Sequence, residues 1–131
     1  MISALFRKLA LGGGCALALT APIAAQDPAE RGVSAVLRGL DKVNGHTLDV
    51  EIQIGGSAEL YGLIVTLTEC RYPVANPTGD AYAYLTIRDP LKGELFFDGW
   101  MIASSPALSA LDHARYDVWV IRCNSSLGEG N

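Results

Sequence analysis

Hydrophobic and polar residues alternate along much of the chain between residues 35 and 123. His46, Leu48, Val50, Ile52 and Ile54 fall on one side of one stretch, with Thr47, Asp49, Glu51 and Gln53 on the other. Ala81, Ala83, Leu85 and Ile87 oppose Tyr82, Tyr84, Thr86 and Arg88 in the same way. A period of two is that of a strand with one buried and one wet face. The pattern predicts strands at residues 35–43, 46–54, 57–61, 63–70, 81–89, 95–103 and 116–123; residues 63–70 are apolar and β-branched, as a strand favours. Turn signals separate them. Asn44-Gly45 is the favoured dipeptide of a two-residue hairpin, whose central residues both need positive φ. Gly55-Gly56 supplies a second turn, Gly62 a kink or bulge, residues 72–80 a proline-containing loop, and Pro90 a stop. Ser105-Pro106 predicts a short helix: the serine oxygen can accept an early N–H, and proline suits the first helical position. Leu108 and Leu111 would share a face of it, and Ser109 with Asp112 is an alternative capping pair. Short, regularly spaced strands predict an all-β fold, a mostly antiparallel sandwich or small barrel with one short helix.

The first 25 residues break this pattern. Arg7 and Lys8 precede an apolar run over residues 9–19, Pro22 interrupts it, and Ile23-Ala24-Ala25 places small residues before Gln26. That is the layout of a cleaved signal peptide, and the run is too short for a stable span of roughly 20 residues. Acylation at Cys15 is the rival, but Leu11 sits four positions before the cysteine rather than three. Residues 26–34, with Pro28 and Gly32, are expected to be a flexible leader, and residues 124–131 a disordered tail. Removing 25 residues, with Arg7 and Lys8, from 131 residues of net charge −4 leaves 106 residues at −6. Such an acidic domain repels nucleic acid and anionic lipid.

Cys70 and Cys123 remain after cleavage. An even count in an exported chain points to a disulfide, with two buried free thiols as the alternative. Both cysteines end predicted strands, so a bridge suits parallel-running or facing strands rather than antiparallel neighbours. Strict alternation is awkward for it, because it places Cys123 with Trp119 and Ile121, and Cys70 with Thr66 and Thr68.

Two stretches carry a resemblance. Gly99-Trp100-Met101-Ile102-Ala103-Ser104-Ser105-Pro106-Ala107-Leu108-Ser109-Ala110-Leu111 and Tyr116-Asp117-Val118-Trp119-Val120-Ile121-Arg122-Cys123 resemble the signature of an alphaproteobacterial exported family, domain of unknown function 2155. Leu40-Asp41-Lys42-Val43-Asn44-Gly45 and Cys70-Arg71-Tyr72-Pro73 resemble its other recurrent pieces, so the similarity spans residues 35–123. The resemblance implies a periplasmic location and a Cys70–Cys123 bridge. Through the genomic setting of such proteins, it also implies a protein partner on the outer face of the inner membrane, among respiratory complex I accessory factors. It implies no activity.

Candidate chemistry is sparse. Ser104, Ser105, Asp112, His113 and Asp117 contain the residue types of a nucleophilic triad, but there is no nucleophile elbow and no oxyanion loop. The plainer expectation is that Ser105 caps the helix and that Asp112 and His113 end it. His46 and His113 are not in ligand spacing, so no metal is expected, and no phosphate loop, dinucleotide fingerprint or haem motif is present. Asp49 and Glu51 read as a solvated face rather than a glycosidase pair. Trp100 and Trp119 are expected in the core. Tyr82, Tyr84 and Arg88 stand opposite the aliphatic face of their strand, and tyrosine and arginine are enriched at interface hot spots. The expected role is therefore a non-catalytic interaction module without a cofactor. Its candidate surface is Tyr82, Tyr84, Arg88, Trp100, Ser104, Ser105, His113 and Tyr116. A small-ligand or glycan-binding sandwich using the same aromatics is the alternative.

Overall fold

A computed structural model describes residues 28–125. The expected signal peptide, the acylation alternative at Cys15 and the tail from residue 126 lie outside the described residues. The described residues form eight strands: β1 (Ala29–Arg31), β2 (Ser34–Asp41), β3 (Thr47–Gln53), β4 (Ser57–Leu60), β5 (Leu63–Pro73), β6 (Tyr82–Arg88), β7 (Leu95–Ile102) and β8 (Tyr116–Asn124). They form two antiparallel sheets, an open sandwich and not a barrel. One has the order β1-β5-β6-β7 with β4 also on β5, and the other the order β3-β2-β8. No helix among the described residues is long and apolar enough to cross a membrane.

The alternation places the core. Ala81, just before β6, and Ala83, Leu85 and Ile87 within it are fully buried, in one core with Ala35 and Leu37 of β2 and Val118 and Val120 of β8. Gly39 lets the sheets close at one end: a Cβ there would lie 2.9 Å from the buried Leu60 side chain.

Two bulges resolve the awkward parity of the cysteines. In β5, Leu67 lies opposite Leu85 and Glu69 opposite Tyr84, so Thr68 is an extra residue. The buried row thus runs Leu63, Val65, Leu67 and then Cys70 and Tyr72. In β8, Val120 lies opposite Leu37 and Arg122 opposite Val36, so Ile121 is extra and Cys123 joins the buried row of Val118 and Val120. An extra residue flips every later side chain to the other face, because the side-chain period is two. Each cysteine follows its bulge residue by two positions, and the two meet across the core as a disulfide with a Cα–Cα distance of 5.9 Å.

Several local expectations change. Lys42 to Gly45 form a longer loop than a two-residue hairpin: the Asp41 amide donates to His46 O, and Gly45 N, at φ +79°, donates to Asp41 O. The buried Asp41 carboxylate takes the Val43 amide and thereby shapes this loop. The tight two-residue turn is instead at Tyr61 and Gly62, with φ +54° and +80°, between the paired Leu60 and Leu63. Of the stretch expected as a leader, residues 29–31 form β1 and Ser34 is a buried residue of β2. The reason is an unpaired edge. β4 covers only the Leu63–Thr66 half of β5, and β1 takes the Arg71–Pro73 half. Asn124, expected in the tail, is paired with Ser34 in the ladder. The expected helix is a three-residue 3-10 turn, Pro106–Leu108, and Ser105 makes no side-chain cap. The chain has only residues 103–115 in which to cross from β7 to a strand of the other sheet. It extends again at Ser109, so Leu111 is buried while Leu108 is 75% exposed.

Candidate interaction surface

Burial of one face of β6 turns Tyr82, Tyr84, Thr86 and Arg88 outward. The register sets Tyr84 between Glu69 and Trp100, Tyr82 between Arg71 and Ile102, and Thr86 between Thr66 and Asp98. Directly opposed side chains on neighbouring strands are close enough to interact. The Tyr84 and Trp100 rings meet edge to face, with centroids 5.5 Å apart and planes at 87°. Trp100 is not a core residue: 40% of it remains exposed, because its parity matches the outward Tyr84 rather than Leu85. Asp98 ties the group together by accepting from Thr86 Oγ1 at 3.0 Å and holding the Tyr84 phenol, whose pKa this hydrogen bond raises. Beside the pair, Glu69 accepts from Arg71 and forms an ion pair with Arg31 at 3.3 Å. The result is an aromatic strip, pinned by charge-assisted bonds and partly open to solvent.

The remaining expected residues do not join this strip. Arg88 is at the far end of β6, opposite Ile64 and Leu95. Ser104 lies just past β7, where its amide and hydroxyl both donate to the Asp80 carboxylate, at 2.9 and 2.7 Å. His113 and Tyr116 are at the opposite end of the sandwich. The Tyr116 ring stacks on Tyr61 at 5.5 Å and on His113 at 5.3 Å, and Phe96 meets His113 edge-on at 4.9 Å. His113 Nδ1 accepts the Arg115 and Tyr116 amides. Asp117 Oδ1 accepts the Val118 amide. Ser104, His113 and Asp117 are thus each committed to structural partners of their own.

Sequence reasoning missed the ion pair that organises this second end. Asp41, 4% exposed, accepts from Arg115 Nη2 at 2.9 Å and Nε at 3.1 Å. The guanidinium also lies 5.3 Å from the centre of the Tyr116 ring. Arg115 holds the Asp41 carboxyl below the ordinary carboxylate range, against the opposing effect of desolvation. Lys42 Nζ donates to His113 O and so fastens the same loop from the other side. An acid placed at a strand end just before Asn-Gly was a visible signal; its partner 74 residues away was not. Trp119, expected in the core, is half-buried against it and also lines a groove of about 410 Å³ with Pro106, Ala107, Ala110, Asp117 and Val118.

The architecture defines the class: a two-sheet, disulfide-bridged β-sandwich with an aromatic outer face. Over residues 35–123 the chain matches the model of the family described as "Uncharacterized protein conserved in bacteria (DUF2155)", and it belongs to that family. No curated protein and no solved structure matches it.

Proposed function

We propose that this chain is a non-catalytic interaction module of the bacterial envelope, exported to the periplasm, that docks to a protein partner through the outer face of β6 and β7. The observation that carries the reading is the partly exposed, edge-to-face Tyr84–Trp100 pair, buttressed by Asp98 and Thr86 on the outer face of the sheet. Rigid aromatic side chains offer large contact area at little entropic cost, and tyrosine and tryptophan are enriched where one protein binds another. The disulfide and the acidic charge fit an oxidising compartment and a protein rather than a nucleic-acid partner. The finer reading is an accessory subunit of a respiratory assembly, complex I, on the outer face of the inner membrane.

The test is a pull-down from gently solubilised membranes with tagged wild type and with Tyr84→Ala/Trp100→Ala. Stoichiometric recovery of a membrane complex by wild type, and its loss with the double variant at unchanged thermal stability, is the expected result. Equal recovery by both removes the aromatic face from the reading. A second reading, small-ligand or glycan binding, is favoured by the groove beside Trp119. A screen of ligands against Trp119 fluorescence checks it.

A further inference from the structure

Every open sandwich has edge strands whose outward N–H and C=O groups can template another strand, and native edges are usually blunted. This molecule blunts its edges unequally. On β8, the Lys42 amide donates to Arg115 O, which makes Leu40/Asp117 and Arg38/Trp119 the hydrogen-bonded pairs, since such pairs alternate along an antiparallel ladder. Val118 therefore points its amide away from β2, and the Asp117 carboxylate occupies it at 2.9 Å. The segment 106–110 stands across the groove from it. β3 carries Asp49 and Glu51 along its edge, both exposed.

On β7 the extra residue Phe96 bulges the strand before its centre and the exposed Asp98 side chain is drawn to Thr86 of β6, but among the described residues no side chain takes an outward amide at residues 98 to 100 as Asp117 does on β8. The Ala103 amide donates to Ala81 O, so Met101, Gly99 and Phe97 bond to β6 while Trp100 and Asp98 turn their amides and carbonyls outward. No strand among the described residues pairs with that side. β7 has no proline and no lysine, and between the outward residues it has Gly99. The chain's own packing does not demand that glycine: a Cβ there would meet nothing closer than Phe97 at 3.6 Å, and its φ is not positive. Glycine inside a strand weakens it, and it marks places where another backbone comes close.

We propose that β7 is the pairing edge of a symmetric dimer, in which a second copy of this chain adds its own β7 antiparallel with Gly99 on the twofold axis. The register follows from the outward groups. Asp98 bonds the partner's Trp100 and Trp100 the partner's Asp98, which makes four backbone hydrogen bonds, while glycine faces glycine at the axis. Charge selects the same register, because each carboxylate then lies opposite an indole and not opposite its own copy, which matters in a net acidic chain. The two five-stranded sheets become one, and both Tyr84–Trp100 pairs lie on a single continuous face. This holds whichever protein that face meets.

Sedimentation velocity of the chain, purified as the cell processes it, over about 1 to 500 μM spans the usual dimer range. Wild type is expected to shift from monomer to dimer. Asp98→Pro removes an outward amide twice per dimer without touching a backbone bond to β6; the side-chain bonds to Thr86 and Tyr84 that it also removes are matched by Asp98→Ala. The proline variant should raise the dissociation constant by about a hundredfold. Asp98→Ala loses the side-chain bonds but keeps the amide, and should stay within about threefold of wild type. Wild type that remains monomeric throughout, or a dimer that Asp98→Pro leaves intact, overturns the proposal. If Asp98→Pro fails to fold, Gly99→Cys decides. Cα atoms about 4.5 Å apart across a non-hydrogen-bonded pair are within disulfide reach, so a covalent dimer is expected on a non-reducing gel, and its absence overturns the assignment.

Discussion

The two ends of the sandwich are closed by different chemistry, and one strand, β2, connects them. At its Ser34 end the closure is covalent. Cys70–Cys123 ties the sheets together, and Glu51 accepts from Ser34 Oγ and Asn124 Nδ2 beside it. At its Asp41 end there is no covalent bond. The sheets meet through Leu60 packed on Gly39, the Asp41–Arg115 ion pair and the Tyr61–Tyr116–His113–Phe96 stack. A disulfide constrains mainly the unfolded chain, and it works irrespective of how well its surroundings pack. The other closure acts only in the folded state, and its ion pair and ring stack draw on Arg115 and His113 of the segment that leads into β8. The first end should therefore respond to redox conditions and the second to packing and pH.

The largest effect should come from the covalent end. A bridge with a sequence separation of 53 is worth on the order of 4 kcal/mol in the chain-entropy model. Reduction, or Cys70→Ser with Cys123→Ser, should lower the urea midpoint accordingly with the spectroscopic signature of the folded state unchanged. A loss under 1 kcal/mol would mean that the opposite end dominates. Next is the packing of the second end. Leu60→Ala should cost about 2–5 kcal/mol, as buried leucines do. Gly39→Ala, which drives a methyl into Leu60, should cost about 1–3 kcal/mol, and most of that cost should vanish in the Leu60→Ala background. Additive losses in this cycle would show that the two residues do not share the space.

The ion pair comes third. The Asp41 carboxyl is depressed by Arg115 in the folded state, so its contribution is present above the unfolded carboxylate pKa, about 4, and is lost as pH falls through the folded value. Asp41→Asn should lower the melting temperature at neutral pH, and the difference from wild type should close as the solution is acidified below that range. A difference that ignores pH would reassign Asp41 to a purely steric role in its turn. The smallest effect is Ser105→Ala, expected within about 0.5 kcal/mol of wild type because the hydroxyl makes no cap. A loss near 1 kcal/mol, typical of a true N-cap, would restore the helix that the Ser-Pro signal suggested.

Local pattern and turn signals located seven of the eight strands, the buried faces of β5 before its bulge and of β6, and the outward set of Tyr82 and Tyr84. These depend on a local property, the two-residue period of an extended chain, and need no knowledge of what lies opposite. Asp98 was half legible, since it shares parity with Trp100. β1 escaped notice because three exposed residues, Ala29–Arg31, carry no pattern, and only the unpaired half of β5 makes them a strand. Trp100 was misplaced for a related reason. A large aromatic fits a core or a sheet's outer face equally well by composition, and for Trp100 only the register with Tyr84 decides.

The sequence by itself determined the class of fold, the turns at Gly55 and Pro90, and the presence of two cysteines fit to pair. The tertiary structure decided the strand order, the meeting of Asp41 with Arg115 and the closure of the bridge. The bridge shows the reason most directly. Counted along their own strands, Cys70 and Cys123 point away from the core. A bulge exists only relative to a partner strand, and it is the extra residues Thr68 and Ile121, set against β6 and β2, that turn both cysteines inward to meet.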